Sequence, residues 1–212
     1  MRIFAVSVAL VAVTSTTVSG APALLKSRQS LDVDLDFSAS LSTGVSGIYT
    51  QCTSPGQIAL TFDDGPYTYG DDIVNALNAQ GVKGTFFVNA NNWACIYDYA
   101  DELLARYQAG HVIGSHSGTH PDIATLTADE LNTQLDLVEG ALQNILGVVP
   151  RFFRPPYGSV SQANVDVLTA RGYVVANWNF DSGDSSGVSP AETIQDYSLL
   201  SPENSYIALN HE

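Results

Sequence analysis

Several short motifs carry the residue types from which hydrolytic chemistry is built. Thr-Phe-Asp-Asp-Gly-Pro sets Asp63 beside Asp64. Two bare adjacent carboxylates repel; a cation on one relieves the repulsion and leaves the other free to move a proton. The plainer reading is a turn, since Asp-Gly and Gly-Pro are turn dipeptides, and the two readings are compatible. His116 and His120 stand four residues apart in His-Ser-Gly-Thr-His. That spacing lets both imidazoles reach one cation, with a carboxylate from another strand end as third ligand. Taken alone the spacing is a weak signal and two solvated loop histidines are the plainer reading; the Asp-Asp pair at the mouth of the same sheet favours the cation site. Arg154, ahead of Pro155 and Pro156, either holds a nearby carboxylate in one rotamer and keeps it ionised, or is a surface arginine before a rigid turn. Asp181, Asp184 and His211 complete the set. The chain has no G-x-S-x-G elbow and no Walker-type loop, which argues against serine acyl transfer and nucleotide hydrolysis.

These residues need a scaffold that gathers them. From residue 57 onward, strand-type stretches alternate with helical ones. The strands are expected at 57–63, 82–90, 111–115, 151–154, 173–178 and 205–210. Helices are expected at 71–80, 98–109, 127–147 and 161–171, with another starting at Ser189. The clearest runs from a capping box, Thr127 with Glu130, through Leu131, Leu135, Val138, Leu142 and Ile145, to Gly147 as its stop. Strict alternation predicts an α/β fold with a parallel sheet of six β/α units. In such sheets reactive groups sit at the C-terminal strand ends, closed barrel or open. Asp63, Asp64, His116, His120, Arg154, Asp184 and His211 all follow expected strands, so three of the four histidines converge on one face.

Composition sets the class and the partners. The chain has 212 residues with Lys+Arg 8, Asp+Glu 22 and a net charge of −14. Charged residues make up 14% against roughly 25% in ordinary soluble domains, so a packed domain is expected rather than disorder. The acidic balance argues against nucleic-acid or anionic-lipid partners. Arg2, the apolar run Ile3 to Val13, and small residues around Gly20 have the pattern of a secretory signal peptide over 1–20. The run is too short to span a bilayer core of roughly 30 Å, so no transmembrane segment is expected. Residues 21–50 read as a flexible linker or propeptide, and 51–212 as the domain. In an oxidising compartment Cys52 and Cys95 have the opportunity to pair.

Together the motifs resemble the polysaccharide deacetylases of carbohydrate esterase family four, the NodB-homology domain, and within it the fungal chitin deacetylases. The resemblance runs from about Ser54 to the last residue. Its five motifs in order are 61–66, 116–120, Arg154-Pro-Pro-Tyr-Gly158, Asp181-Ser-Gly-Asp184 and Leu209-Asn-His211. It implies an irregular, incomplete (β/α) barrel, and a secreted, extracellular or cell-wall enzyme that removes N-acetyl groups from chitin or chito-oligosaccharides. Acetylxylan or peptidoglycan is the alternative substrate, and a non-catalytic chitin- or chitosan-binding protein the alternative class. By the same resemblance, Asp64, His116 and His120 bind a divalent metal, usually zinc, with Co2+ or Mn2+ as alternatives. Asp63 is the general base and His211 the general acid; Arg154 orients Asp63 and Asp184 tunes His211. Tyr157 offers a backbone N–H to the oxyanion, and Leu209 lines the acetyl pocket. Two departures stand out. The fourth motif commonly ends Asp-Trp, and here Ser185 follows Asp184, so Trp178 is expected to supply the wall. The family's closing C-terminal helix is expected to be missing. A monomer is expected.

Overall fold

A computed structural model describes residues 45–212; the expected signal peptide and nearly all of the 21–50 stretch lie outside the described residues. Eight strands form one sheet: β1 (Ile48–Tyr49), β2 (Ile58–Asp63), β3 (Thr85–Val88), β4 (Val112–Ser115), β5 (Phe152–Phe153), β6 (Val174–Ala176), β7 (Phe180–Asp181) and β8 (Tyr206–His211). Their order is β1-β6-β5-β4-β3-β2-β8-β7, and all neighbouring pairs are parallel. The sheet curls into an incomplete (β/α) barrel with β1 and β7 as open edges. All six expected strand stretches contain a strand. The additions are the two edge strands, and β1 draws the end of the 21–50 stretch into the sheet.

Five helices connect the strands: α1 (Gly70–Ala79), α2 (Ala100–Gln108), α3 (Ala128–Leu146), α4 (Gln162–Ala170) and α5 (Pro190–Ser198). The capping boxes expected at Thr127–Glu130 and Ser189–Glu192 are formed, and a third joins Ser161 to Asn164 at the start of α4. Gly147 closes α3 in the left-handed region, at φ 75°. There a glycine meets no Cβ penalty.

Strand alternation separates the two faces of the sheet. Phe86 and Val88 of β3 pack outward with Val74 and Leu77 of α1, Leu103 of α2, and Val138 and Leu142 of α3. A second cluster joins Ile48, Phe153 and Val175 to Leu131 and Leu135 of α3 and Leu168 of α4. The long α3 therefore spans both halves of the core. Phe87, between Phe86 and Val88, faces inward with its register partners Asp63 and Gly114. A Cβ on Gly114 would come within 2.6 Å of the Phe87 ring.

The structure does not bring Cys52 and Cys95 together; both are free. Cys52 lies at the N-terminal end of the sheet, its Sγ donating to the Tyr206 carbonyl at 3.0 Å. Cys95 lies past the C-terminal end of β3. The length of a six-residue strand such as β2, about 20 Å, parts the two ends, whereas a disulfide requires Cα atoms within about 7 Å.

Candidate active site

The site is assembled at the C-terminal ends of β2, β4, β5 and β8. Asp63 is the last residue of β2, and its Cα partner on β8 is His211. Thr61, two residues earlier, pairs with Leu209. Because alternate residues share a face, Thr61, Asp63, Leu209 and His211 line one inner surface. Arg154, fully buried just after β5, reaches across to it. Its Nη1 donates to Asp63 Oδ1 at 2.8 Å and to Thr61 Oγ1 at 2.6 Å. Nε and Nη2 donate to the carbonyls of Ala176 and Asn177 at 3.3 and 3.1 Å. The guanidinium also lies 4.4 Å from the Phe87 ring centroid. Burial pushes the Asp63 carboxyl above its ordinary range, opposed by the positive charges of Arg154 and His211. A carboxylate raised in this way is a better proton acceptor.

Asp64 faces the two histidines. Its Oδ1 lies 3.2 Å from His120 Nε2 and 3.7 Å from His116 Nε2. One ligand atom from each of the three residues falls within 4.8 Å of the others. The donor set fits a divalent cation on its chemistry as well as its spacing. His116 Nδ1 lies 2.7 Å from the Arg154 carbonyl, which can only accept, so Nδ1 carries the proton and Nε2 is free to ligate. Burial, and then the neighbouring His120, push the His116 pKa down to about 3. The ring is therefore neutral, the form a metal ligand requires. Arg154 thus serves both halves of the site, its side chain on Asp63 and its carbonyl on His116.

On the other side His211 Nδ1 meets Asp184 Oδ1 at 2.7 Å, and the His211 backbone N–H donates to Asp184 Oδ2 at 2.8 Å. Burial alone would lower the His211 pKa. The bond and charge of Asp184, with Asp63 and Asp64 behind it, more than offset that and hold it above its ordinary value.

The backbone is forced where the side chains converge. Among the described residues, the non-glycine positions at positive φ are Asp64, Ser117, His120 and Tyr157. Such conformations cost of order 1–3 kcal/mol each and cluster where the surrounding structure fixes a functional geometry. Tyr157, at φ 60°, lays its exposed ring edge-on to His120, with centroids 4.7 Å apart. Trp178 closes the same side. It stands 5.6 Å from the Arg154 guanidinium and so close to Gly158 that a Cβ there would come within 2.9 Å of its ring. Ser185 is exposed and donates its N–H to Asp184 at 2.7 Å, so it builds no wall. Asp181 is exposed and accepts from Gly183 N–H in a turn.

Some positioning residues were not expected from sequence. Thr61 is read as an ordinary strand residue. Asn89 holds the His116 and Ser117 carbonyls at 2.5 and 3.0 Å, and accepts from Asn92, which also reaches Asp64 at 3.4 Å. The Asn89-x-x-Asn92 spacing after β3 was the available signal. Trp93, exposed at the rim and 6.1 Å from the Tyr67 ring, belongs to the same loop.

Residues 50–176 match the family model for polysaccharide deacetylase, and the chain belongs to this family. It is 45% identical to a chitin deacetylase of a Pestalotiopsis species, over 68% of this chain and 48% of that protein. It is 37% identical to the chitin deacetylase of Colletotrichum lindemuthianum, over 76% of this chain and 69% of that one. The solved structure of the Colletotrichum enzyme matches with a TM-score of 0.73, covering 77% of this chain and 76% of the other. A peptidoglycan-N-acetylglucosamine deacetylase of Bacillus cereus is 33% identical over 73% of this chain and 55% of its own length. The chain thus spans about half the length of the Pestalotiopsis relative. No helix among the described residues is long and apolar enough to cross a membrane.

Proposed function

We propose that the protein is a secreted, metal-dependent deacetylase that hydrolyses N-acetyl groups of chitin or chito-oligosaccharides, giving acetate and a free amine. The observation that carries this reading is a buried base, a three-residue cation cradle and an acid held by a carboxylate, all on one barrel mouth. Similarity to two fungal chitin deacetylases supports the substrate.

Asp64, His116 and His120 would hold the divalent cation, zinc in the first instance, whose Lewis acidity polarises the amide carbonyl and lowers the pKa of water. Asp63 takes the proton from the attacking water, and Arg154 keeps its carboxylate aimed at the mouth. The Tyr157 backbone N–H donates to the carbonyl oxygen as it gains charge. An amine is a poor leaving group, so the C–N bond breaks as His211 Nε2 hands it a proton; Asp184, bonded to Nδ1, keeps the ring protonated beforehand. Leu209, inward on β8 beside His211, and Trp178 flank the acetyl methyl. The exposed rings of Trp93 and Tyr157 offer apolar faces to the sugar rings on either side.

Acetate release from N-acetylglucosamine oligomers, with and without chelator, tests the reading. Release should stop on chelation and fall at least about 10²-fold in Asp63→Asn, the typical weight of a general base. No release from folded, metal-loaded protein would overturn it, and retention on chitin without release would favour a binding protein. Acetylxylan and peptidoglycan, run beside chitin, decide the polymer.

A further inference from the structure

One buried charge pair lies outside the reaction just described. Arg106 on α2 and Glu212, the residue after His211, have fully buried side chains. Arg106 Nη1 meets Glu212 Oε1 at 2.5 Å and Nη2 meets Oε2 at 3.2 Å, a two-pronged contact. The guanidinium also lies 4.2 Å from the Phe86 ring centroid on the outer face of β3. The same carboxylate accepts the Tyr67 N–H at 3.4 Å, and the Glu212 backbone N–H donates to the Asp63 carbonyl at 3.1 Å. The chain makes room for this carboxylate: a Cβ on Gly65 would collide with it, and one on Gly70 with both it and Arg106. Replacing buried ion pairs by apolar side chains is often neutral or stabilising, so stability is a weak reason for one here. What a guanidinium fork supplies is direction. Successive residues at a strand end point to opposite faces. Pinning Glu212 outward to α2 therefore fixes the backbone that presents His211 inward, opposite Asp63.

We propose that Glu212, held by Arg106, is a positioning residue for His211, fixing the proton donor from behind while Asp184 fixes it from the front. The inference rests on the deacetylase reading above.

The test compares wild type, Glu212→Asp, and the double variant Arg106→Met/Glu212→Gln, which leaves no lone buried charge. Two substrates are used: an N-acetylglucosamine oligomer, whose amine must be protonated to leave, and 4-nitrophenyl acetate, whose phenolate leaves without a proton. Folding is followed by circular dichroism and bound zinc by metal analysis. A displaced acid should lower kcat on the oligomer by up to about 10²-fold, as an ångström-scale misplacement does. KM, zinc content and ester hydrolysis should stay near wild type. Equal losses on both substrates, or an unchanged kcat on the oligomer, would overturn the proposal. Wild type that releases no acetate from the oligomer would sink the deacetylase reading first, and this inference with it.

Discussion

At the scale of single residues the site separates its two proposed proton carriers by environment. Asp63 is buried with a cation against it, whereas His211 is half-open with an anion against it. The signs of the His211–Asp184 pair follow. The His211 pKa is raised, so its share of stability is complete below the ordinary histidine value, about 6.5, and is lost as pH rises through the folded value. Burial would raise the Asp184 carboxyl, but the hydrogen bonds from His211 hold it below its ordinary range. Its share is present above the ordinary aspartate value, about 3.9, and lost as pH falls through the depressed one. The pair is therefore fully engaged in mildly acidic solution. Asp184→Asn removes the largest influence that raises His211, so the alkaline limb of kcat/KM should move to lower pH. A limb that stays in place would show that another group sets it. The bonding groups of this site were legible in the sequence because carboxylates, imidazoles and a guanidinium at strand ends have few structural uses. Thr61, Arg106 and Glu212 were not, because a threonine within a strand, an arginine within a helix and a glutamate beside a histidine have ordinary readings, and only the folded contacts give them a role.

At the scale of elements, local signals located what long-range pairing did not have to decide. The Thr127 and Ser189 caps and Gly147 marked helix ends correctly because capping is satisfied within three or four residues. The stretch expected at 161–171 begins at the right residue, but the capping box at Ser161 was not legible because Asn164 fills the place expected of Glu or Gln. β1 and β7, two residues each, are too short to show a period of two and exist only through their ladders to β6 and β8. β5 shrank to Phe152–Phe153 because Pro155 and Pro156 have no N–H to continue a ladder. Helix α3, which joins the two core clusters, gives the sharpest test. Leu135 is fully buried among Phe153, Val165 and Leu168. Leu135→Ala should cost about 2–5 kcal/mol, with the value set by how far the neighbours collapse. Denaturant unfolding measures it, and a loss below about 1 kcal/mol would mean that the cluster is loosely packed.

At the scale of the whole molecule, charge and chain order matter most. A net charge of −14 meets a proposed product that becomes more cationic with each acetyl group removed. Retention on chitosan should therefore exceed retention on chitin at low salt, and the difference should vanish near 1 M, where the screening length is about 3 Å. A difference that persists in salt would point to shape or hydrogen bonding instead. The sheet order also sets a sequence of events during synthesis. β2 lies between β3, its neighbour in the chain, and β8, whose residues pair with it across roughly 150 positions. Asp64, His116 and His120 all leave the ribosome well before β8; they follow β2 and β4, which with β3 between them are consecutive in both chain and sheet. In this order the residues of the proposed cation cradle are all made before the proposed proton donor, which reaches them only when the long β2–β8 loop closes.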